Sequence, residues 1–171
     1  MELSFRPMRE KDLERVLAIE QVSYPSPWSR YAFISEIREN QFAHYYVCLA
    51  GRRLVGYAGM WIIMDEAHIT NLAVHPAFRQ QGVGEKILYH LMGRSVLLGA
   101  ERMTLEVRVS NDVAKRLYNR VGFEPSGIRK GYYIDTREDA LIMWLVLPKE
   151  LAEASQEDAP GRAEAGEKNG C

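Results

Sequence analysis

The segment from Leu72 to Leu88 combines features that suit a phosphate-bearing ligand. An apolar stretch ends at Val74, a polar loop Arg79-Gln80-Gln81-Gly82-Val83-Gly84 follows, and an amphipathic helix begins inside that loop. The first turn of a helix carries N–H groups without intrahelical acceptors and the positive end of the helix dipole. Gly82 and Gly84 lack Cβ atoms, so an anion can approach the backbone there, and Arg79 offers a forked cation. Such a site suits a pyrophosphate. The same residues also fit a βα turn that needs glycine for steric reasons alone. Two nucleotide loops are excluded: no Gly-Lys-Ser/Thr follows, and Gly-x-Gly-x-x-Gly is absent.

A second constellation lies downstream. Met103, Leu105, Val107 and Val109 alternate with Thr104, Glu106 and Arg108, as on a strand with one apolar and one polar face. With helices over both faces of the sheet, Glu106 lies in or near a cleft. Partial burial is expected to raise its pKa, which suits a base working near neutral pH. The competing reading is a solvated ion pair between Glu106 and Arg108. Tyr118 lies on the following helix, where a tyrosine on an apolar face is ordinarily core. His44, His68, His75 and His90 show no ligand spacing and read as structural. Trp28 is either a core anchor or part of a substrate groove.

The elements that must hold these residues follow from periodicity and punctuation. Leu3 to Arg6 is a short strand ended by Pro7. From Glu10 the spacing of Leu13, Val16, Leu17 and Glu20 is helical until Tyr24-Pro25-Ser26-Pro27. Ser29 can cap a second helix through Glu39. His44–Ala50 and Leu54–Met64 form a hairpin around Gly51-Arg52-Arg53. Ala67–Val74 is the next strand, stopped by His75-Pro76. The loop helix places Val83, Ile87, Leu88, Leu91 and Met92 on one face and ends at Gly99. After the strand 102–109, Ser110-Asn111 can cap a helix to Val121, closed by Gly122. Two strands follow, 123–133 and 140–147. The order β-α-α-β-β-β-α-β-α-β-β predicts an α/β protein of the α+β type. Its sheet is mixed and mostly antiparallel, with helices on both faces, and it is not doubly wound.

The 171 residues make one domain, 1–148, closed by Pro148. Residues 149–171 are an Ala-, Gly- and Glu-rich tail, expected to be disordered. Lys plus Arg (22) balance Asp plus Glu (23), so no bulk field favours nucleic acid or an anionic membrane. Two cysteines, Cys48 and Cys171, argue against a disulfide framework or a zinc site, which needs about four ligands. No metal is expected. No signal-like apolar region opens the chain, and no run reaches the roughly 18 apolar residues of a membrane span. The expected location is the cytoplasm.

Residues 79–84 resemble the Q/R-x-x-G-x-G/A signature of the GNAT acetyltransferases, and Asn71-Leu72-Ala73-Val74-His75-Pro76 resembles the strand leading into it. The stretches 107–111, 117–118 and 121–123 are similar to the RimI-type ribosomal-protein-alanine N-acetyltransferases. So are Pro27-Trp28-Ser29, Asp65-Glu66-Ala67, Arg129-Lys130-Gly131-Tyr132-Tyr133 and 138–143. The likeness covers residues 3–147. His75 departs from it, standing where some relatives carry an acidic residue.

That resemblance implies a GNAT-like fold and acetyl-CoA as cosubstrate. Leu72, Ala73 and Val74 would line the thioester, and Gln80, Gln81, Gly82, Val83, Gly84 and Glu85 would cradle the phosphates with Arg79. Asn111 would contact coenzyme A. Glu106 would deprotonate the acceptor amine and Tyr118 would protonate the departing thiolate. Trp28, Tyr132 and Tyr133 would line the acceptor site. The implied acceptor is the N-terminal α-amine of a protein, specifically the N-terminal alanine of a small-subunit ribosomal protein. A backbone N–H near Ala73 or Val74 can meet the oxyanion. Two alternatives are a GNAT enzyme acting on a small amine and a non-catalytic acyl-CoA sensor. The first requires an acidic acceptor pocket; the second has no use for Glu106 and Tyr118.

Overall fold

The computed structural model describes residues 1–152. Seven strands and four helices appear in the expected order: β1 (Leu3–Pro7), α1 (Leu13–Ser23), α2 (Arg30–Arg38), β2 (Ala43–Ala50), β3 (Arg53–Ile63), β4 (Glu66–Val74), α3 (Val83–Leu97), β5 (Arg102–Arg108), α4 (Asp112–Val121), β6 (Glu124–Tyr133) and β7 (Glu138–Val146). A 3₁₀ turn, Glu10–Asp12, precedes α1, so the helical spacing read from Glu10 becomes α-helix only at Leu13. The caps are those the sequence suggests. Ser29 accepts the Ala32 N–H at 3.2 Å and Asn111 accepts the Ala114 N–H at 3.1 Å, each meeting one orphan donor of a helix start.

The sheet order is β1-β2-β3-β4-β5-β7-β6, and every pairing is antiparallel except β4 with β5. α3 and α4 contribute Ile87, Leu88, Leu91 and Tyr118 to the larger core, with Met103, Leu105 and Val107 from β5. α1 and α2 cover the opposite face, where Leu13, Val16, Ile19 and Phe33 pack with Val47 and Tyr57. Each fully buried side chain of this size contributes about 1.5–3 kcal/mol relative to exposure. The smaller core also holds a carboxylate. Glu20, 1% exposed, accepts hydrogen bonds from the Tyr57 hydroxyl and, at 3.1 Å, from the Trp28 N–H. It thereby fixes the segment between α1 and α2.

β4 and β5 pair only over Glu66–His68 and Arg102–Thr104. Beyond the rung His68–Thr104 the strands part, leaving a fork in the middle of the sheet. A bulge accompanies the parting: Gly59 pairs with Asn71 and Met60 with Ile69, so Thr70 is a surplus residue on β4. A bulge bends its strand and increases local twist. It also changes which residues face which layer. Ala67 and Ile69 join the larger core below it, and Leu72 and Val74 pack on that core above it. Strict alternation does not hold across Thr70.

Leu151 packs against the larger core, although composition places it in the tail. Residues 153–171, the rest of that expected tail, lie outside the described residues. Among the described residues, no helix is long and apolar enough to cross a membrane.

Candidate active site

The fork is bordered by a backbone-built loop and a side-chain-built cluster. At the loop, Gln80 (φ +61°) and Gly82 (φ +78°) take left-handed conformations that turn the chain into α3. The Lys86 N–H reaches the Gly82 carbonyl at 3.2 Å, so the amides of Val83, Gly84 and Glu85 precede the first intrahelical bond. A Cβ at Gly82 would meet nothing within 4 Å: the approach there is open. Gly84 serves another purpose. A Cβ there would lie 3.2 Å from Leu117 Cδ2, so its hydrogen lets α3 pack against α4.

The loop side chains bind the fold together. Arg79 donates from Nε to the Val74 carbonyl and from Nη2 to Ser23 Oγ, both at 3.0 Å, so it ties β4 to α1 and is not a wholly free cation. Gln81 Nε2 donates to the Ala77 carbonyl at 3.2 Å, Glu85 pairs with Arg120 at 3.3 Å, and Val83 is buried. The backbone amides and the exposed Gln80 side chain are what this leaves for a ligand. On β4, the Tyr24 hydroxyl donates to the Leu72 carbonyl and accepts the Leu72 N–H at 3.2 Å. In the sequence Tyr24 stands only in the Tyr24-Pro25-Ser26-Pro27 break after the first helix, with no local sign of this contact.

Glu106 lies two residues beyond the last β4–β5 rung, on the face opposite Met103, Leu105 and Val107. Its side chain is 8% exposed. His68 Nε2 lies 2.6 Å from Oε2, and Arg129 Nε lies 3.5 Å from Oε1. Burial pushes the Glu106 carboxyl upward, but the His68 hydrogen bond, the His68 charge and the Arg129 charge together outweigh it, and the net shift is downward. This overturns the expectation of a raised pKa: burial alone was legible, and the partners His68 and Arg129 were not. The ion pair of Glu106 with Arg108 is also absent. Arg108 instead holds Asp135 at 2.8 Å and Glu138 at 3.6 Å, and its guanidinium lies 3.9 Å over the Tyr133 ring.

Tyr118 faces the larger core from α4, 9% exposed, with its ring edge-on to Phe123 at 5.7 Å. Burial, with a contribution from Tyr133, pushes its hydroxyl up to about 12. It is therefore a phenol, able to donate, throughout the neutral range. Tyr133 is also pushed up to about 12, by burial first. It lies within electrostatic reach of Glu106, and its ring stands perpendicular to that of the half-exposed Tyr132 at 5.1 Å. Trp28 packs on Phe33 at 5.3 Å and Tyr45 at 6.4 Å in the smaller core. The segment beside it is joined to the β6–β7 turn by Ser26 Oγ, which donates to Asp135 Oδ2 at 2.9 Å.

A family model described as "Acetyltransferase (GNAT) family" matches residues 13–123, from the start of α1 to just past α4. The chain belongs to this family. Among GNAT relatives, the [ribosomal protein bS18]-alanine N-acetyltransferase of Escherichia coli K12 is 37% identical over 136 residues, spanning 78% of this chain and 90% of its own. The protein of that name from Haemophilus ducreyi is 38% identical over 143 residues, 81% and 96% of the two chains. A Bacillus subtilis protein to which the same activity is attributed is 46% identical over 142 residues, 83% and 94%. Of the solved structures, the Escherichia coli ribosomal-protein-S18-alanine N-acetyltransferase superposes with a TM-score of 0.77 at 32% identity, covering 85% of this chain and 94% of its own. Ard1 of Thermoplasma volcanium superposes with a TM-score of 0.79 at 27% identity, covering 86% and 99%.

In this GNAT chain the structure brings Glu106, Tyr132 and Tyr133 into one cluster and sets Tyr118 within electrostatic reach of Tyr133. Leu72 to Val74 and the 79–85 loop form the other border of the fork. Asn111 caps α4, with its side-chain oxygen accepting the Ala114 N–H. His68, Arg129 and Tyr24 were missed as site residues. His68 shares the polar side of its strand with no sequence motif, and only the short parallel pairing of β4 with β5 sets it beside Glu106.

Proposed function

We propose that the protein transfers an acetyl group from acetyl-CoA to the N-terminal α-amine of a protein, with the N-terminal alanine of ribosomal protein bS18 as acceptor. The named activity of the relatives supports the acceptor. The observation that carries the chemistry is the near-buried Glu106 carboxylate beyond the last rung of the fork, with Tyr132 and Tyr133 around it.

The residues present fit the cosubstrate. The open approach at Gly82 and the free amides of Val83 to Glu85 suit a pyrophosphate, and an extended acyl-bearing arm fits along the parted edge of β4 where it takes the place of the Tyr24 hydroxyl on Leu72. An α-ammonium has a pKa of about 7.7–8, so only a minor part is free amine at pH 7. Glu106 attracts the ammonium and accepts its proton, directly or through water. Its low basicity makes it a transient acceptor that passes the proton to solvent. The amine nitrogen then attacks the acetyl carbonyl, and a backbone N–H near Ala73 or Val74 meets the oxyanion. Tyr118 donates its proton to the sulfur as the C–S bond breaks, and it is replenished by the proton the nitrogen loses. The net products are the amide, the thiol and one proton. Positioning of two bound reactants supplies much of the acceleration.

The other readings fit less well. Asp135 and Glu138 share the single Arg108 guanidinium, so only one net negative charge is left there to meet a polyamine that carries several cations. A sensor would not need a phenol and a carboxylate at the fork. The catalytic unit is residues 1–148, acting in the cytoplasm without metal, nucleic acid or membrane. Mass spectrometry of the protein incubated with acetyl-CoA, a panel of N-terminal peptides and spermidine tests this reading. Acetylation of an alanine-terminal peptide at its α-amine is expected. Preferential acetylation of spermidine would refute the proposal.

A further inference from the structure

The Glu106 carboxylate has two unequal partners. Oε2 is held at 2.6 Å by His68, whose side chain is 34% exposed. Among the described residues, the cation on Oε1 is Arg129, through one nitrogen at 3.5 Å, and the Arg129 side chain is 55% exposed. The backbone of Arg129 is fixed by pairing with Ala140, and the β6–β7 register becomes irregular immediately afterwards. Its guanidinium also lies 5.8 Å over the Tyr132 ring, within the aromatic cluster near Glu106. Arg129 is thus a cation with a fixed base and a solvated, loosely held head.

A nearly buried carboxylate is unfavourable without a countercharge. An arriving α-ammonium would supply one, and Oε1 is the oxygen His68 leaves available. Two cations on that one oxygen repel each other. We propose that Arg129 is a displaceable counter-ion: it occupies Oε1 of Glu106 in the resting enzyme and gives that oxygen up to the ammonium of the acceptor. Arg129 therefore competes with the acceptor for Glu106. Acceptors bearing a cation at their end are admitted in exchange for it, and equally shaped neutral ends gain nothing. The inference rests on the reading of Glu106 as the group that receives the acceptor amine.

Calorimetry on the full chain bound to CoA tests this without turnover. The probes are an alanine-terminal peptide and its desamino analogue, with the amine replaced by hydrogen. Arg129→Gln removes the competing cation and is expected to tighten the amine peptide by about threefold, in the range of partly exposed charge pairs, while the desamino analogue is unchanged. Arg129→Lys keeps the competitor and should stay near the wild type. In turnover, the peptide KM of Arg129→Gln should fall with kcat no higher. The inference is overturned if Arg129→Gln binds the amine peptide equally or more weakly, or if both peptides tighten together. If the wild type binds both peptides alike, Glu106 does not receive the ammonium, and the functional reading falls with the inference. If the wild type prefers the amine and Arg129→Gln leaves that preference unchanged, only the role of Arg129 falls.

Discussion

The two borders of the fork are built on different principles. The loop from Arg79 to Glu85 presents mainly backbone, since the side chains of Arg79, Gln81 and Glu85 are engaged with Val74, Ser23, Ala77 and Arg120. The Glu106 cluster presents side chains drawn from β4, β5 and β6, with His68 and Arg129 setting the state of the carboxylate. A backbone site depends on local conformation and tolerates side-chain exchange. A side-chain site depends on each group, and distant partners retune it.

The largest test of this contrast is at Glu106. Glu106→Gln should lower kcat/KM by about 10²–10⁴-fold, the usual contribution of a general base, with acetyl-CoA affinity unchanged. The defect should shrink above about pH 8, where free amine becomes abundant. Because the Glu106 pKa lies below the ordinary carboxylate value, the wild-type carboxylate stays ionised down to acidic pH. Loss of activity from pH 8 to pH 6 therefore belongs to the amine and should be steeper in Glu106→Gln, which lacks the group that takes the proton; a limb that vanishes in Glu106→Gln would contradict this. Tyr118→Phe should cost about 10²-fold, and raising pH should not rescue it, since the hydroxyl is protonated until about pH 12. Recovery of Tyr118→Phe at pH 9 would remove Tyr118 from the role of acid.

On the loop side the contrast predicts a different pattern. Gly82→Val should weaken acetyl-CoA tenfold or more, about 1.4 kcal/mol, because a side chain would fill the open approach and strain a positive φ. Calorimetry of a folded variant reads this directly. Gln81→Ala should change that affinity by no more than about twofold, as for ordinary surface substitutions. A large effect at Gln81 would show that the loop reads phosphate through side chains and would erase the contrast.

The smallest effect concerns Glu20. Burial raises its pKa, with the bonds from Tyr57 and the Trp28 N–H opposing. An acid with a raised folded pKa contributes most stability below its unfolded value, and that contribution declines as pH rises through the folded value. Glu20→Gln should flatten this decline, so the variant gains on the wild type in urea midpoint from about pH 4 upward. A constant difference across that range would show that Glu20 does not titrate with folding.

The same contrast governs what could be read from the sequence. The loop, the Ser29 and Asn111 caps and the β2–β3 hairpin depend on neighbours within a few residues, and each was legible in the chain. The pairing of His68 with Glu106 spans 38 residues and needs the register of two parallel strands. Arg129 reaches Glu106 from an edge strand, and Tyr24 reaches Leu72 across 48 residues. Nothing local signals the surplus residue at Thr70, because Ile69-Thr70-Asn71 reads as ordinary alternation. Hence the position of Glu106 was readable but its basicity was not.

That surplus residue has a consequence for motion. The gap between β4 and β5 is opened by strand register, where many clefts are opened by a mobile lid. Narrowing it would require Thr70 to be absorbed and the β4 residues above it to exchange faces between two packed layers. A slot made in this way has no hinge. The thioester would enter a groove that is standing open before it arrives.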